Sequence, residues 1–211
     1  MSTSGLMQAL HALTATEIVQ ATRSGHTTCE AVVRACLDHI AAREPAVQAW
    51  QYLNADQVIA QARALDRRGH RGPLYGVPFG IKDIIDTSDM PTEYGSPIYR
   101  GHRPASDAAC VALSRQAGGI LMGKTVTTEF ANVSPGKTRH PRDPQRTPGG
   151  SSSGSAAAVS AYMVPLAVGT QTTGSTIRPR PSVALWGIVP RMGICAVPGS
   201  KRRPGRSIRW G

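Results

Sequence analysis

The sequence has few aromatic residues, no long apolar run and, at its amino terminus, no pattern typical of a secretory leader. Aromatic residues make up 5% of the 211 residues, while hydrophobic residues reach 40%, a content compatible with a globular chain. A membrane span requires ~18 to 20 consecutive apolar residues, and no run approaches that length. The first residues lack the basic and apolar regions of a signal peptide. We therefore predict a globular, cytoplasmic protein without membrane association.

The four cysteines lack the C-x-x-C spacing of zinc sites and redox motifs. Cys29 and Cys36 lie one or two helical turns apart among apolar neighbours, which is typical of buried thiols and not of zinc ligands or disulfides. We therefore predict neither a metal nor another cofactor.

Acidic residues are missing from the last part of the chain. Residues 176–211 contain eight Lys and Arg and no Asp or Glu, so the rest of the chain accounts for only +3 of the net charge of +11. A basic tail of this kind could bind nucleic acid through its phosphates. Because the body is nearly neutral, we do not expect a nucleic-acid partner, but a binder that acts through its basic tail stays open as an alternative.

The first seventy residues show helical periodicity. Gly25 and Pro45 are expected to end helices, and a third helix is predicted at about residues 54–68. Two Thr-x-x-Glu pairs have the spacing of a capping box at a helix start: Thr14 with Glu17, and Thr27 with Glu30. This region therefore reads as helical packing elements without chemistry.

From residue 75 the sequence changes to short β-type runs joined by glycine-rich turns. The runs lie at residues 77–81, 119–122 and 164–168, with a helical pattern at 107–116 between the first two. Strands that alternate with helices predict an α/β fold. We expect a mixed, mostly parallel sheet covered by helices on both faces.

Three segments of this second region carry candidate chemistry. Residues 76–83 place Lys82 at the end of an apolar strand. Residues 147–155 form a Gly/Ser-rich stretch directly before a helix-forming run, which favours a shaped loop at a helix N-terminus over a flexible linker. Residues 169–179 place Ser175 in a turn after a strand, where open α/β sheets bind ligands.

One motif in the second segment is misleading. Residues 150–154 match G-x-S-x-G, the nucleophile elbow of α/β-hydrolases, but that elbow follows a strand directly. The preceding residues 146–149 are Arg-Thr-Pro-Gly, so we interpret the match as accidental.

Together the three segments resemble the amidase signature family. Its hallmark is a G-V-P-x-x-x-K-D segment, a P-G-G-S-S-x-G-S loop and a G-T-x-T-x-G-S-x-R-x-P turn in that order. Ser151 and Ser175 have the family's separation of twenty-four positions. The resemblance covers roughly residues 19–179 and includes Gly-Lys-Thr at 123–125 and Glu-Phe at 129–130. It implies the amidase signature fold, truncated to its N-terminal half.

The resemblance also implies a role for each matched residue. Ser175 is the nucleophile, Ser151 is a bridging serine preceded by a cis peptide, and Lys82 is the base. The oxyanion hole is implied to consist of backbone N–H groups from four residues: Thr172, Thr173, Gly174 and Ser175. Thr173 departs from the small residue usual at that position. Its β-branched side chain restricts the backbone there.

The chemistry of these roles can be stated without the family. A serine hydroxyl becomes a good nucleophile when a neighbour takes its proton, and a lysine can do so only when it is neutral. A neutral lysine at pH 7 requires a pKa several units below ~10.4. Burial lowers the pKa of a lysine, and three apolar neighbours of Lys82 favour it: Val77, Phe79 and Ile81.

The resemblance implies an amidase that cleaves the C–N bond of a small linear amide through a serine acyl-enzyme, giving a carboxylic acid and ammonia or an amine. An alternative within the same family is the A subunit of a glutamyl-tRNA amidotransferase, which releases ammonia from glutamine for transfer to a bound aminoacyl-tRNA. Gln171 stands where that protein commonly has Asp, which favours the free-standing amidase. The sequence does not indicate the oligomeric state or identify the amide.

The end of the chain departs from the family pattern. We divide the sequence into an N-terminal helical region at 1–70, the N-terminal part of the catalytic core at 71–179, and an aberrant basic tail at 180–211. Read two bases further on, residues 182–193 can encode Cys-Gly-Ala-Val-Gly-Tyr-Arg-Pro-Thr-Tyr-Gly, close to the family's continuation after the third segment. We therefore predict that the tail is read out of frame.

The nucleotide sequence tests this prediction. A correction of one or two bases near codon 180 should open a frame of some 200 or more codons with amidase-like residues, because the family domain is typically well over 400 residues long. Early stops in both alternative frames, without the family pattern, would show that the tail is genuine.

Overall fold

The computed structural model describes residues 10–69, 72–171 and 174–176. Five α-helices have both ends within these ranges: α1 Ala15–Arg23, α2 Cys29–Val47, α3 Ala55–Arg68, α4 Ala109–Gln116 and α5 Ser153–Ser160. Four strands are present in the same part of the chain: β1 Trp50–Leu53, β2 Pro78–Lys82, β3 Ile120–Thr125 and β4 Leu166–Val168. Short 3-10 turns lie at Pro97–Tyr99 and Glu129–Ala131.

The four strands form one mixed sheet in the order β1-β3-β2-β4. β2 is parallel to β3 on one side and to β4 on the other, whereas β1 is antiparallel to β3 at the edge. The predicted mixed, mostly parallel sheet is therefore confirmed. The predicted runs at 77–81, 119–122 and 164–168 each overlap a strand, with ends shifted by up to three residues.

β1 was not predicted, because the region before residue 70 was interpreted as helical throughout. It has only four residues, and its pairing partner β3 lies about seventy residues further along the chain. Local periodicity over four residues cannot reveal a strand that forms through so distant a pairing.

The register between β2 and β3 contains a one-residue irregularity. Phe79 pairs with Leu121, but Gly80 pairs with Gly123, so Met122 has no partner across the pair. Beyond this shift Ile81 pairs with Lys124, and Lys82 pairs with Thr125. Paired side chains share a face of the sheet and successive ones alternate, so Lys82 and Lys124 lie on opposite faces.

Apolar residues cover both faces of the sheet. Ile120 and Met122 belong to a buried cluster to which α2, α3 and α5 contribute, whereas Leu121 belongs to a second cluster that includes Val111 of α4. This alternation along β3 is what a strand buried between two layers requires. The expectation of helices on both faces is confirmed.

The helix starts show one predicted cap and one correction. Thr14 forms the predicted capping box, since its hydroxyl accepts from Glu17 N at 3.3 Å and Thr14 N donates to the Glu17 carboxylate at 2.7 Å. The prediction for Thr27 is wrong, because the N-cap of α2 is Thr28. The carboxylate of Asp66 accepts from the first two N–H groups of α2, which leaves Glu30 to pair with arginines instead.

Pro45 does not end α2 as expected. The helix continues to Val47 and ends at Gln48, which adopts a left-handed conformation with φ 53°. A proline removes one N–H donor from the helix ladder, and here that loss falls in the final turn, where the helix ends shortly afterwards.

Candidate functional site

The carboxyl ends of the parallel strands meet at one edge of the sheet. β2 ends at Lys82, β3 ends at Thr125, and β4 ends at Val168, directly before the turn that contains Ser175. This is the edge at which open α/β sheets place their ligand sites. The three sequence motifs therefore converge in space.

Helix α5 is fixed against these strand ends by hydroxyl contacts. Ser155 Oγ lies 2.7 Å from Thr125 Oγ1 and donates to the carbonyl of Val168 at 3.1 Å. At Gly154 a Cβ atom would lie only 2.3 Å from Val126 N, so the close approach of the helix to the residue after β3 requires glycine. The loop before α5, which carries Ser151, is thereby fixed over the sheet edge.

This loop is not a nucleophile elbow. Residues 144–150 contain no strand, so the G-x-S-x-G match at 150–154 is accidental, as the sequence indicates. The peptide bond between Gly150 and Ser151 is cis, as the family resemblance implies.

Lys82 is fully buried, and its amine contacts two hydroxyl groups. Nζ lies 2.6 Å from Ser151 Oγ and 2.8 Å from Thr170 Oγ1. Burial lowers the pKa of Lys82 to about 8. A lysine in this environment holds a useful neutral fraction near physiological pH, so it can accept a proton from Ser151.

A second buried lysine, Lys124, has a different environment on the other face. Its Nζ donates to the carbonyl of Ile85 and to Thr92 Oγ1 at 2.7 Å, and it lies 3.8 Å from the Asp83 carboxylate. Burial lowers the pKa of Lys124 to about 8 and raises that of Asp83 to about 6. Lys124 is therefore positioned to anchor the segment that follows β2, and not to contact the serines.

Ser175 is half-buried, and its backbone lies beside the Ser151 loop. Ser152 N donates to the Ser175 carbonyl at 3.2 Å. Thr176 closes the turn around it, because Thr176 N donates to Gln171 Oε1 at 3.2 Å and its hydroxyl donates to the Thr170 carbonyl at 3.1 Å. The structure thus brings the side chains of Lys82 and Ser151 together and joins the backbone of Ser175 to the residue after Ser151.

The expected oxyanion hole is only partly within the described residues. Gly174 is buried and has φ +146°, a conformation that favours glycine. Thr172 and Thr173 lie outside the described residues. Their backbone donors, and the effect of the β-branched Thr173, stay predictions.

Thr170 is the contact that sequence reasoning missed. It belongs to the third motif and follows β4 by two residues, yet its sequence context indicates no role. A threonine in a turn after a strand is too common to single out, and its contact with Lys82 spans 88 positions of the chain.

The described part of the chain contains no group of three His, Cys, Asp or Glu residues that could hold a metal ion. Cys29 and Cys36 are free and buried, as predicted, and burial raises the pKa of the Cys36 thiol to about 12. Among the described helices, none has the length and apolar character needed to cross a membrane.

Comparison with known proteins gives a family match over most of the chain. The family model described as Amidase matches residues 31–205. The glutamyl-tRNA(Gln) amidotransferase A subunit of Acidothermus cellulolyticus is 45% identical over 190 residues, which is 85% of this chain and 38% of that protein. Its counterpart in Chloroflexus aurantiacus is 40% identical over 215 residues, covering 97% of this chain and 42% of that protein.

Solved structures show the same likeness. The native peptide amidase from Stenotrophomonas maltophilia has a TM-score of 0.73 and 36% identity, covering 79% of this chain and 37% of that one. A fatty acid amide hydrolase at 24% identity shares the fold with a TM-score of 0.76, over 82% of this chain and 32% of that one. The chain thus spans about two fifths of the length of the curated relatives above. The family match extends through residues 180–205, most of the segment that we predict to be out of frame.

Proposed function

This chain belongs to the amidase family, and from that premise we propose that the full-length protein hydrolyses the C–N bond of a linear amide through a serine acyl-enzyme. The observation that supports this most strongly is the pair formed by Lys82 and Ser151. The lysine is fully buried, its amine lies 2.6 Å from the serine hydroxyl, and its described hydrogen-bond partners are uncharged. That environment suits a proton acceptor.

In the first step Ser175 Oγ attacks the amide carbonyl carbon. The Ser175 proton passes to Ser151 Oγ as the Ser151 proton passes to Lys82 Nζ, so that an ammonium and a tetrahedral oxyanion form together. Backbone N–H groups of the turn at 172–175 stabilise the oxyanion, and such a donor is worth ~3 to 4 kcal/mol.

In the second step the C–N bond breaks, and the leaving amine takes a proton that returns from Lys82 through Ser151. Water then attacks the acyl-enzyme, with the same relay accepting its proton. The C–O bond to Ser175 breaks, the serine regains its proton, and the carboxylic acid leaves. Lys82 is neutral again at the end of each half-reaction, because the proton it accepts is passed on to the leaving amine in the first and back to Ser175 in the second.

The pH dependence of turnover is a direct test. Only neutral Lys82 can accept a proton, and its pKa is lowered to about 8, so kcat/KM should rise ~10-fold per pH unit below pH 8 and level off above it. The measurement is kcat/KM for a simple carboxamide in the full-length protein between pH 6 and 10. A plateau that already extends down to pH 6 would contradict a lysine base with this pKa.

A glutaminase component of an amidotransferase is the second candidate, favoured by the relatives of that name at 45% and 40% identity. The presence of Gln171 counts less against an amidotransferase than the sequence suggests. Its side-chain oxygen accepts from Thr176 N at 3.2 Å, and an aspartate at that position also carries an acceptor. Assays of glutamine and of simple carboxamides, with and without partner proteins, separate the candidates, because hydrolysis of glutamine only in the complex favours the amidotransferase.

We propose a small amide as the partner and the cytoplasm as the location, in agreement with the free, buried thiols Cys29 and Cys36. All eight basic residues of the 176–211 segment lie outside the described residues. If the tail is out of frame, its charge says nothing about partners.

A further inference from the structure

We propose that Thr170 is a positioning residue, whose hydroxyl holds neutral Lys82 with its lone pair directed at Ser151. This inference rests on the proposed function, since it concerns how the base of that reaction is aimed. It gives a function to the contact between Thr170 and Lys82, which the proton relay of the two serines and the lysine does not include.

A neutral lysine amine has two N–H donors and one lone pair, and it can rotate about its terminal C–N bond. Beside Ser151 alone, it could present either an N–H or the lone pair to the serine hydroxyl. Thr170 Oγ1 lies 2.8 Å from Lys82 Nζ and accepts one N–H. The second contact of Nζ is with Ser151 Oγ, at 2.6 Å. With one N–H directed at Thr170, the lone pair can point to Ser151 and receive its proton.

The backbone of Thr170 is held firmly enough for this task. Its carbonyl accepts from Ser152 Oγ at 3.3 Å and from Thr176 Oγ1 at 3.1 Å, and its N–H donates to Ser152 Oγ at 3.3 Å. Ser152 follows Ser151, and Thr176 follows Ser175. Thr170 therefore connects the lysine to the two segments that carry the serines, so that all three reacting groups keep a fixed relation.

On the neighbouring elements β3, β4 and α5, no charged side chain competes with Thr170 for the Lys82 amine. β4 and α5 contain no charged residues, and on β3 the charged side chain, Lys124, lies on the opposite face with Asp83. In the described part of the chain, the hydrogen bonds of Lys82 Nζ go to Ser151 and Thr170. Loss of the Thr170 hydroxyl should therefore remove one of two acceptors from a buried amine.

The test compares Thr170→Val and Thr170→Ser in the full-length protein. Valine keeps the shape but not the hydroxyl, so plateau kcat should fall ~10 to 100-fold with KM within ~2-fold, whereas serine should restore kcat to within ~3-fold of the wild type. The acid limb of the pH profile should move to lower pH in Thr170→Val, because an ammonium needs its acceptors more than a neutral amine does. The variant would then have more neutral lysine and yet react more slowly.

A purely structural role predicts the opposite shift. Loosening of the site would admit water, raise the pKa of Lys82 and move the acid limb to higher pH, and it would not be repaired by serine. That result, or a plateau kcat of Thr170→Val within ~2-fold of the wild type, would overturn the proposal.

The pKa of Lys82 can also be measured without turnover, by pH-dependent labelling of lysine amines read by mass spectrometry, with exposed Lys137 as the internal reference. A lower value in Thr170→Val supports the positioning role, and an equal or higher value contradicts it. The proposed function fails separately, if the wild type hydrolyses no carboxamide and no glutamine.

Discussion

Replacement of Ser175 by alanine should lower amide hydrolysis by the full-length protein at least ~10³-fold, and Lys82→Ala should do the same. The double variant should be no worse than the more damaged single variant. Nucleophile, bridge and base act as one unit, so removing one group already disables the proton relay. The measurement is kcat/KM for a carboxamide at a pH above 8, where the wild-type base is neutral.

Matched controls separate chemistry from folding. Lys137→Ala removes an exposed lysine, and Ser24→Ala removes an exposed serine hydroxyl at the end of α1; both should keep wild-type activity. Lys82→Met keeps an aliphatic side chain in the buried site, so it should fold even if the alanine variant does not. Near-wild-type turnover by Ser175→Ala would show that the nucleophile is a different residue.

The 211-residue chain by itself should have little or no amide hydrolase activity and poor solubility. A catalytic group works only when packing and supporting contacts hold it rigidly, and the chain covers only 38% and 42% of the two curated relatives described above. The measurement is amide hydrolysis by the purified chain, together with its elution in size-exclusion chromatography. Hydrolysis by a monodisperse sample that disappears with Ser175→Ala would contradict this prediction.

Exposed apolar side chains support that expectation. Ile98 is 80% exposed, Val133 is 84% exposed, and Phe130 is nearly half exposed. Phe130 N donates to the carbonyl of Tyr94, and Thr128 N donates to the carbonyl of Ser151. Apolar residues this exposed are a hazard for solubility when nothing covers them.

The meeting of Lys82 with Ser151 was predictable because both occur in motifs whose order and spacing match a known family. The sequence also places Lys82 at the end of one strand and Ser175 in the turn after another, where open α/β sheets bind ligands. The contact of Lys82 with Thr170 was not predictable, because a threonine hydroxyl accepts equally well in many turns and its partner is fixed only by the packing of β2 against β4.

The environment of Lys124 was equally hidden. The sequence showed a Gly-Lys-Thr segment, which reads as a strand end, but its partners Ile85, Thr92 and Asp83 come from an irregular segment 32 to 41 positions earlier. Only the fold of that segment decides whether the lysine is exposed or enclosed. Burial of both lysines follows from apolar strands, and their different tasks follow from which groups surround them.

The extra residue of β3 determines which changes of chain length the sheet can accept. Deletion of Met122 would remove the residue that lacks a partner in β2, so Ile81 could still pair with Lys124 and the two buried lysines would stay on opposite faces. This deletion should lower the free energy of unfolding mainly through the loss of one buried side chain, by ~2 to 5 kcal/mol. Deletion of Gly80 would instead turn Lys82 to the face of Lys124 and away from the serines. Two ammonium groups would then share a dry interior, so β2 tolerates shortening far less than β3 does.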